Sequence, residues 1–502
     1  MNFFKKYKFD FLILGVLALL YFITRFYGIL SLPIFTDEAI YIRWAQIAKQ
    51  DAAWRFISLT DGKQPMFIWL MMISLRLIRD PLLAGRVVSV GAGFLTLFGM
   101  YFLGKEIFKN NKIGLVSSAL YLIFPMAFVY DRMAMYDSLV GTFAIWALFL
   151  IVLLVRRVRL DIALILGMVV GGGVLTKTNA FFSIYLLPFA LFLFDWGKKG
   201  LQGKFFKLIG LFVVSVVLTY MVYSILRLSP FFHIITEKNA IFVYPFNEWL
   251  SHPLEFFRGN MTAFYDWITR YLTWPLLILG LGSFFLSKSF FREKLVLFFW
   301  FVVPLLALGL FGKTLYPRFL FFMMLSLLPL IAWSLINLYS RFKKGYLFLI
   351  LVVLAFALAL KIDYLVLNDF AKAGIPASDV GQYLTGWPAG GGVKPAVEFF
   401  SKEAEKGKIY VATQGTFGLM PYALEIYLIQ NPNITIEGIW PIKDIIPAKI
   451  LEKSKQMPTY FYFYQPCNSC MGTGTAPIAW DLKPILQIKT GSESLTSIYK
   501  IK

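Results

Sequence analysis

The chain is nearly empty of metal-ligating and redox side chains: 502 residues hold two cysteines and two histidines. Cys467 and Cys470 lie together near the C-terminus, so no disulfide framework organises the fold. Their CxxC spacing reads as a local disulfide or as two free thiols. A zinc site would need two more ligands, and His233 and His252 are both in another stretch. Two histidines are also too few for a metal hydrolase, and no metal or cofactor is expected. Acids are scarce as well, with 28 Asp and Glu against 49 Lys and Arg, a net charge of +21. In a soluble protein that excess would suggest nucleic acid. Here the cations cluster in short loops between apolar runs, so they read as orientation signals and anionic-lipid contacts, with no nucleic-acid partner. The sequence also lacks a Walker motif, a glycine-rich dinucleotide fingerprint, and heptad or solenoid repeats.

What the chain has is apolar surface: 59% hydrophobic residues, 18% aromatic, and a mean hydropathy of +0.69. A soluble globular protein of this length does not need so much, so the class is an α-helical polytopic membrane protein. Lys5, Lys6 and Lys8 precede the first apolar run without a small-residue cleavage site, which predicts a retained span rather than a signal peptide. Runs long enough to cross a bilayer, about 20 residues each, fall near 10–30, 84–104, 113–130, 137–155, 161–176, 179–195, 205–228, 271–288, 294–311, 315–338 and 345–362. A further stretch, 65–79, is short and carries Arg76 and Arg79.

Charge bias decides the role of that stretch. If 65–79 does not cross, the inner segments hold nineteen cations (around Lys5, Lys105, Arg156, Lys198, Lys288 and Arg341). The short outer loops then keep four: Arg132, Lys177, Lys313 and Arg318. If it crosses, the bias disappears. The expectation is therefore about eleven transmembrane helices, with interfacial helices at 39–50 and 65–79 in the first outer loop. The loops 31–83 and 229–270 and the tail from 363 then lie outside.

The tail changes character. Turn residues appear, with a Gly- and Pro-rich loop expected at 374–394. Strand-like runs at 409–413, 434–440, 459–464, 485–489 and 497–501 alternate with helical stretches at 395–406, 419–430 and 445–456. The division expected is a membrane domain over 1–362 and a small extracytoplasmic α/β domain over 363–502.

Charges recur where apolar runs end, all on the outer face by that count. Thr36-Asp37-Glu38 reads as a helix start, with Thr36 capping and two acids complementing the helix dipole. It also reads as a carboxylate pair placed for chemistry, of which about one acid can face a given substrate. Asp61-Gly62-Lys63-Gln64-Pro65 is a turn opening the next helix, and Arg86 reads as an interfacial anchor at the start of a span. In Tyr130–Asp137, Arg132 and Asp137 are either an internal salt bridge or site residues. Lys177, ending a glycine-rich span, and Arg318, opening a late one, are either snorkelling anchors or phosphate ligands.

These elements, in this order, resemble the C-type glycosyltransferases, in particular the bacterial branch related to dolichyl-phosphate-mannose protein mannosyltransferases and lipid A aminoarabinose transferases. The likeness covers about residues 10–340. It implies a polyprenyl-phosphate-linked monosaccharide as donor, with Asp37 as catalytic base and Glu38 supporting its loop. Lys63 would lie near the donor phosphate, Arg132 and Asp137 would line the second outer loop, and Lys177 and Arg318 would bind phosphate or lipid carrier. The family's double-proline turn is Gln64-Pro65 here.

The chemistry agrees on its own terms. A sugar phosphate leaves as an acidic phosphate, so departure needs cations rather than a general acid. The acceptor hydroxyl needs one base on the opposite face of the sugar, and direct displacement inverts the anomeric centre. Protein, glycolipid and cell-envelope polysaccharide all remain open as acceptors. The reading from another class is a secondary transporter or lipid-linked sugar flippase, which would place charges near the bilayer midplane and repeat one half in the other. Few disulfides and lysine-rich inner loops favour a bacterial or archaeal plasma membrane.

Overall fold

The computed structural model describes residues 2–197, 201–342, 345–467, 470, 472–490 and 495–502, with side chains from Lys8 onward except at Leu201. Lys198, Lys199, Lys343 and Lys344, and the side chains of Lys5 and Lys6, lie outside the described residues. The chain divides into two compact units: 1–27, 55–69 and 87–376 in one, and 28–54, 70–86 and 377–502 in the other.

In chain order the first helices are α1 (Asn2–Phe26), α2 (Thr36–Gln50), α3 (Met66–Leu77), α4 (Pro81–Phe108), α5 (Asn111–Leu122), α6 (Pro125–Tyr130), α7 (Tyr136–Arg157) and α8 (Leu160–Val174). All eleven apolar runs are helical over most of their length. Among the described residues, six helices are long and apolar enough to cross a bilayer: Lys8–Phe26, Pro81–Phe108, Tyr136–Arg157, Gln202–Leu228, Phe291–Phe311 and Gly345–Asn368. Two bent pairs, Phe257–Leu272 with Trp274–Leu286 (101°) and Pro317–Met324 with Leu327–Arg341 (51°), make eight if each is one span. The chain is a multi-pass membrane protein.

The remaining runs are shorter or broken than an unbroken span requires. Pro125 lacks the amide that would continue α5 into α6. The 178–193 stretch is a series of short turns. Helix α3 has 12 residues, roughly 18 Å at 1.5 Å per residue, short of the ~30 Å hydrocarbon core. That length suits the non-crossing role expected of 65–79.

Close helix packing in the first unit rests on glycine. A Cβ at Gly172 would sit 2.7 Å from the Phe143 ring, and one at Gly171 2.9 Å from Val222. Small residues let α8 lie tightly between α7 and the helix at Leu201–Tyr223, which fixes where the end of α8 delivers Lys177. The helix Phe257–Leu272, in a stretch expected as loop, buries Phe264, Trp267, Ile268, Tyr271 and Leu272 at helical spacing.

The second unit contains a five-stranded sheet in the order β4-β3-β5-β7-β6, where β3 is Ile409–Gln414, β4 Ile434–Ile439, β5 Thr459–Phe463, β6 Pro484–Lys489 and β7 Leu495–Ile501. β3 pairs parallel with β4 and β5, while β7 runs antiparallel to β5 and β6. Helices Val393–Glu405, Tyr422–Leu428 and Ala448–Gln456 complete the expected α/β pattern. Phe461, Phe463, Trp480 and Tyr499 form much of one core on the sheet. The expected loop at 374–394 is partly ordered: Ala377–Val380 is a helical turn, and β2 (Ala389–Gly390) pairs antiparallel with β1 (Ile34–Phe35). Cys467 and Cys470 form the local disulfide; Asn468 and Ser469 between them lie outside the described residues.

Candidate functional site

In the second unit, β1 leads straight into α2. Thr36 does not cap that helix. It is the first helical residue, and both its amide and its hydroxyl donate to the Pro388 carbonyl, at 3.1 and 2.9 Å. The reach back to the helix start comes from Glu38, whose Oε2 accepts from the Phe35 amide at 3.0 Å, half of a capping box.

Glu38 is fully buried, and so is its partner Arg86. The guanidinium makes five contacts: Nε and one terminal nitrogen donate to the two Glu38 oxygens at 2.8 Å each, and the carbonyls of Ile29, Leu32 and Pro33 accept the rest at 2.5–3.1 Å. All five donors of arginine are thus matched. Arg86 is therefore a buried structural partner and not the interfacial anchor its sequence position suggested. Asp37, half-buried in the first turn of α2, sits on the frame that this pair rigidifies.

In the first unit, cations gather. The 3-10 turn Ile57–Asp61 ends at Gly62, whose φ of +65° only glycine adopts easily. A Cβ there would lie 2.5 Å from the Cβ of Lys238. Asp61 takes Lys238 at 2.6 Å and Lys63 at 3.7 Å. Gln64 donates to Thr178 at 2.7 Å, and the Met66 amide donates to the Leu175 carbonyl at 3.0 Å, which ties this turn to the end of α8.

Next along the chain, Lys177 pairs with Asp137 at 2.8 Å and sits 4.5 Å from the centre of the Phe319 ring. Phe319 also contacts the Phe242 ring at 5.8 Å, and the Arg318 guanidinium lies over Tyr316 at 4.4 Å and near Phe319 at 5.9 Å. Lys63, Asp137, Lys177 and Arg318 are thus brought into one neighbourhood, joined by Asp61 and by Lys238 and Asn239 of the helix Ile234–Phe242. Lys63, Lys177, Lys238 and Arg318 are cations of this neighbourhood, and Asp61 and Asp137 are among its acids. Lys238 was missed because its long loop gave no motif; a lone lysine in a helical stretch was the only signal.

Asp137 pairs with Lys177 rather than with Arg132. Arg132 donates to the Tyr27 carbonyl at 2.7 Å and lies along the Phe128 ring. The connection from α6 to α7 is pinned by Asp131, which accepts from Tyr21, Tyr121 and Ser138 at 2.8–3.1 Å and faces Arg25 at 3.6 Å. Gly93 of α4 admits this network, since a Cβ there would sit 2.4 Å from Asp131 Oδ2.

Residues 62–223 match the family model described as dolichyl-phosphate-mannose-protein mannosyltransferase, a stretch that includes Lys63, Arg132, Asp137 and Lys177. No curated protein matches the sequence. Solved structures do match. ArnT from Cupriavidus metallidurans in the apo state is similar at a TM-score of 0.59 and 12% identity, over 99% of this chain and 98% of that one. The same protein bound to undecaprenyl phosphate gives 0.56 and 12%, over 98% of each. The archaeal oligosaccharyltransferase AglB from Archaeoglobus fulgidus, in complex with an inhibitory peptide and a dolichol-phosphate, gives 0.54 and 12%, over 96% of this chain and 75% of that one. The fold is that of the C-type membrane glycosyltransferases, as the order of sequence motifs implied.

Proposed function

We propose that the protein is an inverting glycosyltransferase that moves a monosaccharide from a polyprenyl-phosphate-sugar donor to an acceptor hydroxyl on the outer face of a plasma membrane. The observation that carries this reading is the gathering of Lys63, Lys177, Lys238 and Arg318 beside Asp61 and Asp137. The donor is a phosphodiester with one negative charge; when the bond to the sugar breaks, the leaving phosphate gains a second. Cations held in place stabilise that second charge more than the first, which is what lowers a barrier.

Asp37 is the base that takes the acceptor proton. Glu38 is committed to Arg86, so its part is to hold the start of α2. Arg132 and Asp137 shape the connection before α7, and Asp137 orients Lys177. This chemistry needs one acid and several cations, unlike the two flanking carboxylates of a glycosidase. It calls for no metal. The carriers bound to ArnT and AglB, undecaprenyl phosphate and dolichol-phosphate, support a polyprenyl phosphate here. The charge bias of the loops supports the outer face for the site and for the domain from 363.

The test is sugar release from radiolabelled polyprenyl-phosphate hexoses by the purified protein, comparing wild type with Asp37→Asn. Turnover lost in the variant while donor binding persists is the expected result. No turnover by wild type with any donor, or undiminished turnover in the variant, overturns the assignment.

A further inference from the structure

The second unit contains a cavity of about 520 Å³, within the ~300–1,000 Å³ range of small-molecule sites. It is lined by the segment 30–34, by Asp80 and Leu82 at the start of α4, by the first turns of the helix Val393–Glu405, and by Tyr427. Gly390 and Gly391 border it. A Cβ at Gly390 would lie 2.7 Å from the Ile34 carbonyl oxygen, so only glycine lets the two strands close this side.

Five polar side chains line this space: Ser31, Asp80, Lys394, Glu398 and Tyr427. Asp80 gives one oxygen to the Leu83 amide at 2.7 Å as the cap of α4. Among the described residues, no hydrogen bond or ion pair engages its other oxygen, Lys394, Glu398 or the Tyr427 hydroxyl. Lys394 and Glu398 are one helical turn apart, yet they do not pair. Burial and then the charge of Asp80 raise the Tyr427 phenol well above its ordinary value, so it stays a donor.

Two carboxylates against one ammonium leave the cavity with a negative excess. A phosphate is repelled there. The carbonyls of Leu32 and Pro33 already accept from Arg86, so this wall offers no free backbone row for a peptide. What remains is a set of hydroxyl-binding groups beside the apolar faces of Leu32, Pro33 and Leu82. Carboxylates accept from neighbouring hydroxyls, and aliphatic faces take the C–H side of a sugar ring.

We propose that this cavity binds a neutral, hydroxyl-rich sugar, and that this sugar belongs to the acceptor. The second clause rests on the transferase reading; the first does not. The site would place acceptor recognition on the segment 29–33, whose carbonyls hold Arg86 and, through it, Glu38 beside Asp37.

The test is saturation-transfer NMR on the purified full chain with cellotriose, mannotriose and chitotriose, and with glucose 1-phosphate as competitor. The variants are Asp80→Asn with Glu398→Gln, and, separately, Val397→Trp to fill the cavity. Asparagine keeps the helix cap, so the double variant retains its fold. Binding of at least one trisaccharide, weakened 10-fold or more by both changes and not competed by the sugar phosphate, is expected. No trisaccharide binding, binding indifferent to the variants, or equal binding of glucose 1-phosphate overturns the proposal. Turnover assays separate the two readings: the double variant should raise the acceptor KM about 10-fold and leave the donor KM unchanged. A raised donor KM would assign the cavity to the donor sugar instead. Failure of all donor turnover with sugar binding intact would remove the transferase reading alone.

Discussion

Two groups of paired charges in this molecule differ in kind. The Glu38–Arg86 pair is sealed: both side chains are fully buried, and every donor of the guanidinium is matched. The cluster of Lys63, Lys177, Lys238 and Arg318 is open. Its side chains are partly exposed, so solvent and a ligand can reach them. A sealed pair spends its electrostatics on holding a frame, whereas a partly exposed cluster can exchange its contacts for those of a ligand. Substitutions in the first should therefore act on folding, and those in the second on turnover.

The largest effect should come from Arg86→Ala. It removes the cation that faces buried Glu38 and frees three carbonyls, at a cost of about 3–5 kcal/mol. Thermal unfolding in detergent should show a large fall or loss of folded protein. Arg86→Lys should be intermediate, because an ammonium has three donors for five acceptors. An Arg86→Ala protein that melts like wild type would break the distinction outright.

Lys63→Ala should show the opposite pattern. Asp61 retains Lys238 as its closer partner, so stability should move by less than about 1 kcal/mol. Loss of one positioned cation should lower kcat/KM for the donor by about 10²-fold. Lys238→Ala should cost less, about 10-fold, and combining it with Lys63→Ala should be non-additive because both share Asp61. Additive losses would show that Asp61 does not couple them.

Sequence reasoning could reach what is local. The five strands of the sheet fall within a residue or two of expectation, because short runs rich in β-branched and aromatic residues, bounded by turn residues, read as strands. Apolar runs likewise marked the spans. What it could not see is which runs break, as at Thr273, where a φ of +64° turns Phe257–Leu272 by 101° into the next helix. Nor could it pair Glu38 with Arg86, 48 residues away, or choose Lys177 over Arg132 for Asp137. Such pairings are set by packing, as where Gly172 brings α8 against Phe143, and that is not a pattern along the chain.

A third class of pair sharpens the comparison from its weak end. In the sheet unit Glu403 accepts from Lys406 and from the Tyr460 hydroxyl, on a helix face where Lys406 is largely exposed. The Lys406 contact holds the Glu403 carboxyl below the ordinary glutamate value. A carboxyl with a depressed folded-state pKa stabilises the fold above that ordinary value and loses the contribution as pH falls through its own. Acidification should therefore loosen the helix Val393–Glu405 against β5, read as faster hydrogen exchange at Tyr460, and Glu403→Gln should remove that acid-dependent step. At neutral pH the same variant should melt close to wild type, because solvent screens so exposed a pair. A Glu403→Gln loss as large as that of Arg86→Ala would mean that exposure does not separate framework charges from the rest.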